Sequence, residues 1–343
     1  MSTQRILLWS ILLVAVVTAV GYRASVYREP SPPNTCKIVF VTGGSGPYWQ
    51  ATIDGATAAA RNLDVELQIE APADDENLEQ QNAILIRLDG ASLDGIAFSP
   101  LDAPAQTHLI NQLVRQTHVV TFDSDAPLSD RHSHVGTSNF AAGRMCARIV
   151  GEALPEGGKI AVLVTNLTKE NLIDRKGAFE ERIGQMADDV AEAGDAPRFT
   201  VVGYFEDGGS DEKCAQNIRD SFSQHPDLAC FVGLNARHGP ILLKVLKDME
   251  KLDQVKLVTF DATAETLEGI EAGHIYATIA QDPYNFGYEA VRILHTLSRG
   301  HGDELPIVGK GSVYLGTEAI RDENLEQFRK LLSRRQGKRA VEE

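Results

Sequence analysis

KIVFVTGGSGPYWQATIDGATAAARN, residues 37–62, decides how the rest of the chain is read. A β-branched run leads into a glycine-rich turn. An alanine-rich stretch with helical spacing follows, so the segment reads as strand, turn and helix, the opening unit of a parallel α/β sheet. The same alternation recurs downstream. The runs VELQIE, LDGIAFS, HVVTFD, GKIAVLVT, FTVVGYF, LACFVGL, VKLVTFD and IYATIAQ each span a strand length, and amphipathic stretches such as 77–88, 105–116, 141–154, 175–187, 211–224 and 240–252 separate most of them. Apolar strands alternating with helices predict parallel sheet covered on both faces, as one large sheet or two smaller ones. Near the middle, HVGTSNFAAGRM turns without a full helix and suits a crossing between domains.

The glycine-rich turn poses a chemical question, because such turns often hold a phosphate. VTGGSG matches the start of the short-chain dehydrogenase fingerprint T-G-x-x-x-G-x-G, but Pro47, Tyr48 and Trp49 stand where the later glycine belongs, and no Y-x-x-x-K pair occurs. No acidic residue caps the second strand in the expected way, since Glu70 stands next to a proline-bearing turn. No G-K-[ST] follows for a phosphate loop. A nucleophile elbow fails because position 47 is proline. An NAD(P)-dependent dehydrogenase therefore ranks last among the alternatives. Proline in the first helical turn costs no hydrogen bond. It aims Tyr48 and Trp49 along the turn, where a ring face can cover the apolar side of a sugar.

The chain has 343 residues, room for two ordinary domains, and 33 basic against 48 acidic residues give a net charge of −15. An acidic surface of this kind repels phosphate backbones and argues against nucleic acid as a partner. Arg5 precedes an apolar run over 6–20, so residues 1–28 read as a signal peptide or a membrane anchor. The anchor is favoured because no A-x-A cleavage site follows. Residues 29–36, rich in proline, read as a tether. Export would permit disulfides among Cys36, Cys146, Cys214 and Cys230. Cys214 in the first turn of a helix and Cys230 early in the next strand sit at different levels, however, so buried free thiols are expected. The HSH at 132–134 has no acidic or cysteine partner nearby and reads as loop.

In open parallel sheets the ligand crevice lies beyond the carboxyl ends of the strands. The positions just past each run are Thr42 to Trp49, Ser99-Pro100, Asp123, Asn166, Asn235, Asp261 and Gln281. Most carry side chains with two hydrogen-bonding atoms, as an uncharged polyhydroxylated ligand requires.

Five segments in order carry a family resemblance: VFVTGGSGPYWQATIDGA, VVTFDSDAPLSDRHSHVGTSNFAAGR, NLIDRKGAFEE, LACFVGLNARHGPILLKVL, and VKLVTFDATAETLEGIEAGHIYATIAQDPYNFGYEAV. From Lys37 to about Ala319 the chain resembles bacterial periplasmic sugar-binding proteins of the ribose-binding type. The resemblance implies the type I periplasmic binding protein fold, with two Rossmann-like parallel-sheet lobes joined by a three-crossing hinge near Ser138, Gln281–Asp282 and Lys310–Gly311. It implies an N-terminal lobe of 37–138 plus 282–310 and a C-terminal lobe of 139–281 plus 311–325; the highly charged residues 326–343 read as a tail. It also implies ligand contacts from Asp123, Arg175, Asn235, Asp261 and Gln281, with Tyr48 and Trp49 as ring contacts. Asp125 and His238 flank these positions and stand outside the expected set. The implied protein is a periplasmic or membrane-anchored monomer without cofactor, metal or catalytic residue. It captures a sugar or polyol for the permease of an ABC transporter or for a membrane sensor. The sequence departs from the ribose pattern at Ser124, where an arginine is usual, at Ser138, and at Gly43, Gly44 and Gly46. A larger sugar, a sugar alcohol or a cyclitol fits these departures as well as ribose does.

Overall fold

The computed structural model describes residues 35–192, 199–305 and 311–342. The expected signal or anchor, most of the tether and the expected Lys310 crossing lie outside these residues. Two six-stranded sheets form the framework. The first runs β2 (Val65–Glu70), β1 (Cys36–Val41), β3 (Gly95–Phe98), β4 (His118–Phe122), β5 (Ser133–Thr137), β11 (Ser312–Leu315) and is parallel throughout. The second runs β7 (Phe199–Glu206), β6 (Gly158–Val164), β8 (Leu228–Gly233), β9 (Lys256–Phe260), β10 (Ala277–Ala280), β12 (Glu318–Ile320), with only β12 antiparallel.

Strands such as β3 are buried at every position because helices cover both faces of each sheet. In the first lobe α1 (Pro47–Leu63) and α9 (Pro283–Ser298) cover one face, packing on Phe40, Phe122 and Ile38. The other face packs Ile84 and Leu85 of α2 (Leu78–Arg87) and Ile110 and Leu113 of α3 (Ala103–Val114) against Val39, Val41 and Phe98. In the second lobe α4 (Asn139–Ala153) and α5 (Glu170–Glu192) cover one face. The opposite face carries α6 (Asp211–Gln224), α7 (His238–Asp248), α8 (Ala264–Glu271) and α10 (Asp322–Glu342).

The chain leaves the first sheet at Ser138, returns at Gln281–Asp282, and crosses again at Gly316–Thr317. The last crossing departs from the expected Lys310–Gly311. Residues 312–315 pair with β5 in the first sheet, so only the residues after 317 belong to the second lobe. Runs of three or four residues such as β11 and β12 are too short to show a period. β5 was also hidden: SHVGT is a fully buried strand in which small and polar residues take the place of a β-branched run. His134 lies in this strand rather than in a loop, bonded to Thr121. Cys36 opens β1 instead of ending the tether. Nor does the charged tail begin at 326, since Phe328 of α10 packs into the second lobe's core beside Leu325. All four cysteines are buried and free.

The small residues of α1 have a packing reason. A Cβ on Gly55 would lie 1.8 Å from the Tyr284 carbonyl oxygen, and one on Gly287 would lie 1.9 Å from that of Thr52. Backbone thus meets backbone where α1 crosses α9, and neither side can yield. Gly287→Ala should cost roughly 1–3 kcal/mol or more by overpacking. Gly177→Ala on α5, where nothing lies within 4 Å, should instead gain up to about 1 kcal/mol in helix propensity. Thermal unfolding of the two variants checks the contrast.

Candidate ligand-binding cleft

Asp123 follows β4 and Asp261 follows β9, the corresponding strand ends of the two lobes. Both take a left-handed backbone, φ 60° and 67°. In each case the backbone N–H bonds a neighbouring strand, Asp123 to the Val135 carbonyl at 2.9 Å and Asp261 to that of Ile279 at 2.8 Å. This geometry ends the strand and turns the carboxylate toward the space between the lobes. That space is a cavity of about 340 Å³, and Tyr48, Trp49, Asp123, Arg175, Asn235, Asp261 and Gln281 all line it.

The side chains are held rather than loose. Asp123 accepts from the Tyr48 hydroxyl at 2.6 Å, from Ser99 Oγ at 3.1 Å and from Asn171 Nδ2 at 3.4 Å. Burial and the neighbouring carboxylate push the Tyr48 phenol well above its usual pKa, so it stays a donor. Asp261 accepts from Gln281 Nε2 at 2.9 Å. Burial pushes its pKa up to about 6, against the pull of Arg175.

Arg175 lines the cavity but is only 2% exposed, and most of its donors are taken by the protein itself. Nε and Nη2 donate to Asn139 Oδ1 at 3.2 and 2.8 Å, Nη1 to the Leu234 carbonyl at 2.6 Å, and Nη2 to Gln281 Oε1 at 3.2 Å. These bonds commit all but one of the guanidinium N–H groups. Its plane lies over Phe260, 4.2 Å from the ring centroid. Asn235 is half committed: its Oδ1 accepts from the Arg237 N–H at 3.0 Å, and His238 Nδ1 accepts the Asn235 N–H at 3.2 Å. His238 itself is buried against Asp207 and does not line the cavity. Asp125 is likewise turned away, ion-paired to Arg131.

Trp49 serves core and cavity together. It is buried against Phe122 with ring centroids 6.4 Å apart, and Lys169 Nζ lies 5.5 Å from its centroid. The glycines of the opening turn exist for this ring. A Cβ on Gly43 would come within 2.7 Å of the indole, and one on Gly44 within 2.1 Å of Asp75 Oδ1. The Ser45 N–H is occupied by Asp75 at 2.8 Å. The turn therefore clasps a side chain and a neighbouring loop, which answers the phosphate question raised by the sequence.

Several cavity residues escape a scan of strand ends. Asp75 and Glu76 lie in the loop between β2 and α2, Lys169 and Asn171 at the start of α5, and Arg237 before α7. They tie the lobes together. Lys169 pairs with Glu76 at 3.0 Å, and Arg237 with Asp75 at 3.3 Å. Thr168 Oγ1 donates to the Leu101 carbonyl at 3.1 Å, beside Asn166, which bonds the same carbonyl at 3.4 Å and does not line the cavity. The lobes are closed on each other.

Two parallel-sheet lobes with a cavity between them, lined by polar and aromatic side chains, define a cleft-binding protein. The chain belongs to the family described as periplasmic binding protein domain, whose model matches residues 38–302. It is similar to the ribose import binding protein of Salmonella typhimurium, 22% identical over 289 residues that cover 84% of this chain and 93% of that one. Among solved structures it resembles the glucose-galactose binding protein of Geobacillus stearothermophilus, at 27% identity and TM-score 0.77 over 85% of this chain and 99% of that one. It also shares its fold with an ABC transporter solute-binding protein of Burkholderia graminis in complex with D-arabinose, at 23% identity and TM-score 0.77 over 86% and 98% of the two chains. Among the described residues no helix is long and apolar enough to cross a membrane.

Removing the buried cation would leave Asp261 and Asp123 uncompensated and strip the Leu234 carbonyl and Asn139 of a donor. Arg175→Ala should therefore cost about 3 kcal/mol or more of stability, measurable by denaturant unfolding in the absence of any ligand.

Proposed function

We propose that this chain is a non-enzymatic receptor that closes its two lobes on a sugar or polyol and delivers it to an ABC-type importer. The observation that carries this reading is the matched pair of carboxylates, one from each lobe, facing a single cavity beside Tyr48 and Trp49. Gln281 anchors Asp261 at one oxygen, and Tyr48, Ser99 and Asn171 anchor Asp123, which leaves lone pairs on both carboxylates for ligand hydroxyls. The remaining Arg175 N–H and the Asn235 amide supply donors. Similarity to proteins named for ribose import and for glucose and galactose binding supports a sugar-like ligand. The apolar segment 6–20 supports a place outside the cytoplasm, tethered to the membrane or released from it. A monomer suffices, since one chain supplies both walls of the cavity. Closure by hinge bending would couple capture to a changed outer surface that a permease can sense.

Calorimetry against a panel of monosaccharides and polyols should find saturable binding. Asp123→Ala or Asp261→Ala should weaken it at least about a hundredfold, because each removes charge-assisted hydrogen bonds of roughly 1.5–3 kcal/mol. Unchanged affinity in both variants would remove these residues from the site.

The raised Asp261 pKa adds a pH dependence. Proton and ligand compete for the same carboxylate, so affinity holds above pH 6 and declines below it. At pH 5 binding should be about tenfold weaker than at pH 7.5, and Asp261→Asn should flatten this part of the profile.

A further inference from the structure

Among the described residues, five non-glycine positions adopt the left-handed backbone: Asp64, Glu76, Asp123, Glu250 and Asp261. Asp64 caps the end of α1, and Glu250 follows the end of α7. The other three line one cavity. Two of them are the paired carboxylates already described, and the third is Glu76. Aspartate tolerates this conformation through local hydrogen bonds of its short side chain, whereas glutamate gains little from them. Its placement at φ 62° beside the cavity is therefore held by the surroundings.

The neighbours of Glu76 are equally specific. One carboxylate oxygen, Oε1, accepts from Lys169 Nζ at 3.0 Å, and the two side chains are 7% and 3% exposed. The other, Oε2, is buried with no hydrogen-bond partner among the described residues, and so is Asn171 Oδ1. Asn171 is 6% exposed and reaches Asp123 through its Nδ2. Two orphaned acceptors and a buried ammonium thus belong to residues in the wall of the cavity, next to Asp123. Unmet buried acceptors are costly. A hydroxyl meets both needs at once, donating its proton to a carboxylate or amide oxygen and accepting from the ammonium.

We propose that Glu76, Lys169 and Asn171 form a second hydroxyl-binding subsite that selects a six-carbon ligand, a hexose or a cyclitol, over a pentose. The proposal rests on the sugar-receptor reading above and refines it. The other polar groups of the cavity, Asp123, Arg175, Asn235, Asp261 and Gln281, take the hydroxyls common to all these rings. The hydroxymethyl of a hexopyranose, or the additional ring hydroxyl of a cyclitol, then meets Glu76 and Lys169. Glu76 belongs to the first lobe and Lys169 and Asn171 to the second, so the subsite is complete only when the lobes close. The extra hydroxyl is therefore read at closure.

The probes are D-glucose with D-xylose and D-galactose with L-arabinose, each pentose being its hexose without the hydroxymethyl, together with myo-inositol. Calorimetry on the full chain compares wild type, Glu76→Gln and the double variant Glu76→Gln/Lys169→Met. The double variant removes both charges together and leaves no buried ion unpaired. The tightest wild-type probe should be a six-carbon one. Its affinity should fall about tenfold in both variants, while pentose affinity changes less than about twofold. A pentose as the tightest probe, or equal losses for hexose and pentose, overturns the proposal and leaves the ion pair as a tie between lobes. Failure of the wild type to bind any of the five probes would instead sink the sugar-receptor reading itself.

Discussion

The guanidinium of Arg175 sits where three segments of the second lobe converge. It bonds Asn139 just past the first crossing, the Leu234 carbonyl at the end of β8, and Gln281 at the second crossing. A buried cation is tolerable only with its donors met and counter-charges near. Asp261, Asp123 and the Phe260 ring supply that environment. The hinge and the floor of the cavity consequently share one side chain. Whatever shifts the strand ends must also shift the crossings, and the reverse holds.

The two lobes solve the same local problem in the same way. In each, an aspartate ends an inner strand in the left-handed conformation, gives its N–H to the adjacent strand and presents its carboxylate to the gap. A ligand that bridges the two carboxylates is bound better by the closed arrangement than by an open one. Differential affinity of that kind is the source of a ligand-driven conformational change. The direct ties between the lobes, Lys169 to Glu76 and Arg237 to Asp75, add to closure from the protein's own side.

Much of this was legible in the residues. Inner strands with continuous apolar runs announce themselves, and a polar residue at the carboxyl end of such a strand has few reasons to be there other than the crevice. Asp123, Asp261, Asn235 and Gln281 stand at such positions. β5 carries no such signal because SHVGT lacks β-branched density, and β11 and β12 carry none because runs that short have no period. The position of the third crossing is hidden for the same reason. Glu76 and Lys169 lie 93 residues apart in polar loops, and nothing local distinguishes them from solvated charges. Only the closure of one lobe on the other makes them a buried pair. The committed guanidinium of Arg175 was equally invisible, because its acceptors come from three separate stretches.

The isolation of the four thiols has a consequence for biogenesis. Each is buried and held protonated: burial raises Cys36, Cys146, Cys214 and Cys230 above the ordinary cysteine value, with Asp207 adding to the effect at Cys214. A neutral sulfhydryl is a poor nucleophile for exchange. Maturation of this polypeptide thus calls for neither oxidase nor isomerase, and the finished molecule would keep its shape whether its compartment were reducing or oxidising.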